Sequence, residues 1–279
     1  MDYTAAMLPH NRKEVFFDVV KLHWKGFLLL GFVVLICQAA HILLGILQDL
    51  YLVGIGNGIP EVNKETYLQE ARYVVLRFCN VRAIAEGIML AIFSIVFSGM
   101  VRIIRQYAWL ENVQIFPDMI HGIKQNAKQM IMLGIIMGII YAACFSLLSI
   151  VLYSDRGTLF MVIPIGMSML LALPVAGYVA VSISLYSNSF LSNIKLGFYL
   201  YLRAPWKTLL ALVCCAGFYL TYLINNPICH VVFPIMGSVL FPFSVLGWTL
   251  FSYDQLDRFI NKESFPELVG RGTYTGIEE

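Results

Sequence analysis

The chain has 279 residues, 59% of them hydrophobic and 13% charged, with a formal net charge of +2. Soluble domains carry about 25% charged residues, so there are too few charges here to cover a water-facing surface, and hydrocarbon must be the solvent for much of the molecule. Lys and Arg form no basic run, which argues against nucleic acid as a partner.

Residues 1–25 form a first unit, in which Val15, Phe16, Phe17, Val19, Val20, Leu22 and Trp24 fit an amphipathic anchor at the membrane interface. Residues 26–250 form the membrane domain, with apolar runs at 26–46, 83–101, 130–152, 159–185, 208–224 and 231–250. A spanning helix needs about 20 residues at about 1.5 Å each, so these runs predict six transmembrane helices. The first run exceeds the about 7–15 apolar residues of a secretory signal, and no small-residue cleavage site follows it. Continuous rather than alternating apolar runs exclude a β-barrel. Polar breaks at 153–158 and 225–230 are short, which makes the third and fourth spans, and the fifth and sixth, antiparallel neighbours. The longer stretch 48–82 carries a helical look over 64–77, as if it extended the second span. Residues 251–279 are polar and of mixed charge, a short tail.

With the N-terminus inside, 14 of the 19 Lys and Arg residues fall on inner segments. The positive-inside bias therefore predicts both termini in the cytoplasm. Two inner segments look amphipathic. In residues 116–128, Phe116, Met119, Ile120, Ile123 and Ala127 recur at helical spacing opposite Asp118, Lys124, Gln125 and Lys128. Ahead of the fifth span, Ile194, Phe198, Tyr201 and Leu202 oppose Ser192, Asn193 and Lys195. Lys124/Lys128 and Arg203/Lys207 each precede a span at a four-residue step, which predicts interfacial helices with their bases toward lipid head groups. The fold class expected is thus all-α: a polytopic bundle of six transmembrane helices with amphipathic interfacial helices on the cytoplasmic side.

Glu86 is the one acid inside a predicted span, where an ionised group costs about 2.5–3.5 kcal/mol at mid-bilayer. It is either a ligand in a cavity or one half of an ion pair with Arg82, four residues earlier. His41, deep in the first span, fits a neutral imidazole bonded to a neighbouring helix. Pro164 and Pro174 interrupt the fourth span, and Pro234 and Pro242 the sixth. A proline leaves a carbonyl without its donor, so two broken spans point to a cavity, although a plain kink also accounts for each. Gly134 and Gly138 form a GxxxG pair for close approach, within the chain or between chains. Cys79 and Cys229 both fall outside the spans on the outer side, where a disulfide is conceivable. No Cys/His metal spacing, phosphate-binding loop or nucleophile motif is present, so no catalytic residue, cofactor or metal is expected.

The stretch Gly-Ile-Lys-Gln-Asn-Ala-Lys-Gln at residues 122–129, and the block running from Ser189-Phe-Leu-Ser-Asn-Ile-Lys through Arg203-Ala-Pro-Trp-Lys207, resemble the YesL-like family of bacterial membrane proteins. The resemblance covers roughly residues 83–220, and this chain departs from it in its longer first outer loop. It implies a multi-pass protein of the bacterial plasma membrane, accessory to carbohydrate uptake, with an ABC-type sugar permease or a second copy of itself as partner beside the lipid bilayer. The alternatives are a secondary transporter with its own cavity and a membrane scaffold that contacts lipid. The family contributes no functional residues.

The topology makes one expectation testable at once. A reporter fused after Asp155 should report the outer side of the membrane. A cytoplasmic signal would overturn the orientation.

Overall fold

A computed structural model describes residues 9–58, 63–154, 158–217 and 227–274, and among these every regular element is helical. Helix α1 (Arg12–Asn57) starts at Asn11, whose side chain accepts the backbone N–H groups of Lys13 and Glu14 at 3.0 Å each. Glu14 reaches back to the His10 N–H at 2.7 Å, so two otherwise orphaned donors are satisfied reciprocally. His23 leaves helical geometry (φ −119°, ψ 18°), and this kink separates the amphipathic anchor from the first span. Before the kink, Val15 and Val19 are fully buried, while Phe17 and Leu22 are exposed, as is Trp24 just after it.

Helices α2 (Lys64–Ala108) and α3 (Ile115–Tyr153) form an antiparallel pair. Their contact is set by small residues. Gly87 lies against the Gly138 backbone, and a side chain on either would clash with the other's carbonyl. Gly134 faces Ser94, Gly99 faces Met119, and Gly122 faces Arg102. The GxxxG pair is thus used inside the chain. Between helices in lipid, where the hydrophobic effect supplies little, such close backbone approach supplies the packing.

One expectation is modified here and one is met. Residues 116–128 are the first turns of α3 and not a separate interfacial helix, because no breaker interrupts the chain between Lys128 and the third span. Residues 64–82 are helical and continuous with the second span. At about 1.5 Å per residue, α1 and α2 are each nearly 70 Å long, more than twice the about 30 Å hydrocarbon thickness. Both therefore project beyond the bilayer.

The fourth span is compound. A short helix α4 (Val162–Met167) containing Pro164 passes through a π turn at Ser168–Ala172 into α5 (Leu173–Leu185). Pro174 has no N–H for the preceding turn, and the wide π turn ahead of it absorbs the mismatch. Helix α6 (Phe190–Arg203) is capped by Ser189, which accepts the Ser192 N–H at 3.3 Å. It buries Gly197 and Leu200, with Gly197 against Val175 and Val179 of α5. Asn193, expected on the polar face, is instead fully buried. Its amide donates to Gln129 Oε1 of α3 at 2.9 Å, so the burial is satisfied on that side. Helix α7 (Pro205–Ala216) opens on a proline, and α8 (Pro227–Leu256) carries Pro234 and Pro242.

Among the described residues, five helical stretches are long and apolar enough to cross a membrane: Arg12–Asn57, Lys64–Ala108, Ile115–Tyr153, Val162–Leu185 and Val231–Ser264. The fifth predicted span is described only in its first half, as α7; residues 218–226 lie outside the described residues. The two ends of the described chain are tied together. Tyr274 N–H donates to the Pro9 carbonyl at 2.7 Å, Arg12 pairs with Asp257 at 2.7 Å, and Arg12 also donates to the Arg271 carbonyl at 2.5 Å. The described residues nearest the two ends of the chain therefore meet at one end of the bundle. Helix α8 ends there and begins about 45 Å away by its length. The polar tail folds under this end as well: Gly272, at φ +86°, lies on the Ala108 backbone where no side chain fits.

The main core occupies the half of the bundle near the termini. Phe27 and Leu30 of α1, Met100 and Ile104 of α2, Tyr178 of α5 and Leu246 of α8 are all essentially inaccessible. Replacing Gly138 by Val should overpack the α2–α3 contact and cost about 1–3 kcal/mol, lowering the thermal unfolding midpoint in detergent. Gly166→Ala, where an added carbon meets nothing within 4 Å, should leave the midpoint unchanged.

Candidate functional site

Toward the end remote from the termini, α1, α2 and α3 converge on Glu86. Its side chain is only 3% exposed. One carboxylate oxygen accepts from Arg82 Nε at 2.6 Å and from His41 Nδ1 at 2.9 Å; the other accepts from the Tyr141 hydroxyl. Arg82 is one turn from Glu86 on α2, and its position is over-determined. Nη1 donates to Gln48 Oε1 of α1 at 2.5 Å, and the guanidinium carbon lies 5.4 Å from the centre of the Phe145 ring of α3. Both oxygens of the carboxylate are thus engaged, and the charge is neutralised by a guanidinium held on three helices. A buried ion pair survives only with such satisfaction, because desolvation costs several kcal/mol per ion.

The sequence brings Arg82, Glu86 and His41 to mind, but not Tyr141 or Gln48. A tyrosine within an apolar run carries no periodic or charge signal that would separate it from its neighbours. Cys79, one turn before Arg82, is a buried free thiol; the Cys229 side chain lies outside the described residues.

One turn further into the bundle lies a cavity of 340 Å³. Gln38, Leu90, Met137, Ala176, Leu212 and Trp248 line it, one from each of α1, α2, α3, α5, α7 and α8. Leu90 follows Glu86 by four residues, Met137 precedes Tyr141 by four and Gln38 precedes His41 by three, so the charged network stands over one end of the cavity. Two of the predicted helix breaks adjoin the space: Leu173 and Ala176 flank Pro174, and Phe241 and Ser244 flank Pro242. Pro234 is buried, and its carbonyl accepts the Ser238 hydroxyl at 2.8 Å, while that hydroxyl also reaches Gln38 Oε1 at 3.0 Å. Pro164 is exposed and touches none of this. Of the two readings of Glu86, the geometry matches the ion pair with Arg82: the acid is spent above an apolar space that neighbours of Pro174 and Pro242 line.

Lys124 and Lys128 of α3, Arg203 of α6 and Lys207 of α7 are all exposed. Arg203 and Lys207 are interleaved with Leu202, Trp206 and Leu210, which are 71%, 82% and 67% exposed. Large apolar groups bare beside bases suit a bilayer boundary. Among the described residues no group of three His, Cys, Asp or Glu side chains is placed to hold a metal ion.

Comparison with protein-family models, curated proteins and solved structures finds no match for this chain.

The network predicts strong coupling. Glu86→Ala should cost about 3–5 kcal/mol, since it strands the Arg82 charge in a nearly enclosed position. The Arg82→Ala/Glu86→Ala double variant should lose clearly less than the sum of the two single losses, measured by a double-mutant cycle of unfolding in detergent. Additive losses would show the pair to be independent.

Proposed function

We propose that this integral membrane protein is a non-enzymatic accessory component of carbohydrate uptake and does not itself carry the solute. The carbohydrate link rests on the resemblance of residues 122–129 and 189–210 to the YesL-like family, which also suggests the bacterial plasma membrane and a partner of the ABC-permease type. The observation that favours an accessory over a carrier is the closed state of Glu86. A sugar presents many hydroxyls, and each one buried without a partner costs about 1–3 kcal/mol. The central cavity is walled mainly by apolar side chains such as Leu90, Phe93, Phe97 and Leu133, and the acid that would have to greet a solute is committed to Arg82, His41 and Tyr141. Opening it would strand a buried guanidinium.

The purified protein in liposomes should move no mono- or disaccharide, with or without Glu86→Gln. From its native membrane it should co-purify with an ATP-driven permease identified by mass spectrometry. Sugar accumulation by the protein alone, abolished by Glu86→Gln, would establish a carrier instead.

A further inference from the structure

A second cavity, of 400 Å³ and opposite chemistry, lies at the end where the termini meet. The last turns of α2, the first turns of α3 and the segment leaving α5 enclose it, and Arg105, Gln125, Asn126, Ser184 and Ser187 line it. Its donors are largely unspent. Arg105 donates through Nη1 to the Ser184 carbonyl, and its guanidinium carbon lies 5.0 Å from the centre of the Trp109 ring, so the group is held in place. Its Nε is buried without an acceptor, and among the described residues Arg105 forms no ion pair.

The acids nearby are taken. Glu111 pairs with Arg271 at 3.2 Å, Asp257 with Arg12 at 2.7 Å, and Asp118 accepts the Gln114 N–H at 2.8 Å. Arg102, one turn before Arg105, adds charge of the same sign; its Nη1 donates to Gln125 Oε1 at 2.6 Å, which leaves the Gln125 amide N–H groups as donors. Asn126 is 6% exposed, and its amide makes no hydrogen bond among the described residues. Gln129 is part of the wall and not a ligand: it accepts from Asn193 and donates to the Asn188 carbonyl at 2.8 Å.

A fixed guanidinium with no ion-pair partner among the described residues, beside unspent amide donors, is matched by an anion with several acceptor oxygens. A neutral guest would leave the charge uncompensated, and a cation would worsen it. The volume falls in the range of about 300–1,000 Å³ typical of small-molecule sites. Asn126 and Gln129 immediately precede the third predicted span, at head-group depth, and the exposed Lys124 and Lys128 flank them. We propose that this cavity binds a phosphoryl group, with Arg105 as its charge partner and the Asn126 and Gln125 amides as further donors. The phosphoryl group is carried either by a free phosphate or by an anionic lipid head group. This site does not depend on the reading of Glu86 or on carbohydrate uptake.

The test is calorimetric titration of the full-length protein in an uncharged detergent with two probes: inorganic phosphate and short-chain phosphatidylglycerol. Saturable 1:1 binding of inorganic phosphate assigns a free phosphate, and binding of the lipid alone assigns a head group. Either binding should weaken about tenfold or more in Arg105→Gln, as expected for loss of a charged hydrogen bond. Because Arg105 also holds the Ser184 carbonyl, Asn126→Asp serves as the second variant. It touches no existing hydrogen bond and supplies an internal anion for Arg105, so it should abolish binding while the unfolding midpoint holds or rises. Saturable binding of neither probe at millimolar concentration, or binding undiminished in Asn126→Asp, would overturn the proposal.

Discussion

Hydrocarbon offers no hydrogen bonds. Each polar group in the membrane-embedded part of this chain must therefore find its partner within the protein, and the backbone does so by staying helical. The same constraint governs the side chains. Glu86 is tolerable because Arg82, His41 and Tyr141 replace water around it. Because the pairing spans α1, α2 and α3, satisfying one acid also fixes three helices in register. The α2–α3 contact of Gly87 with Gly138 lets those helices approach closely enough for Tyr141 to reach the carboxylate.

The bundle is chemically divided along its length. At one end the Glu86 network closes over a mostly apolar cavity. At the other, the termini tie together through Arg12 and Asp257, and Arg105 stands beside a polar space without a carboxylate of its own. Between the two, Leu30 of α1, Met100 of α2 and Leu246 of α8 are essentially inaccessible. An apolar middle with polar ends is the arrangement a bilayer demands. It also separates the two places where chemistry could occur, so an account of one does not decide the other.

Much of this was legible in the sequence, for physical reasons. Run length against bilayer thickness located the long spans, and a four-residue step was enough to pair Arg82 with Glu86. What escaped was whatever depends on partners distant in sequence. Asn193 reads as a solvent-facing amide, yet it is buried because Gln129 meets it from α3. Residues 116–128 have the period of an interfacial helix, but amphipathicity does not say whether a helix lies flat or continues upright into a span; the absence of a breaker before Met130 decides that. By contrast, the helical look of residues 64–77 did show in the sequence, and the helix runs through them into the second span. Neighbours of Pro174 and Pro242 line the apolar cavity, whereas none beside Pro164 or Pro234 does.

The claim beneath all of these is that lipid surrounds the exposed Ile36, Ile88, Ile139 and Leu210, side chains 75%, 58%, 65% and 67% accessible in the isolated chain. Alkaline carbonate extraction of membranes, followed by detergent, tests it most directly. The protein should stay with the membrane pellet through carbonate and enter solution, folded and monodisperse, only with detergent. Release by carbonate as a folded, monodisperse species in plain buffer would contradict the account.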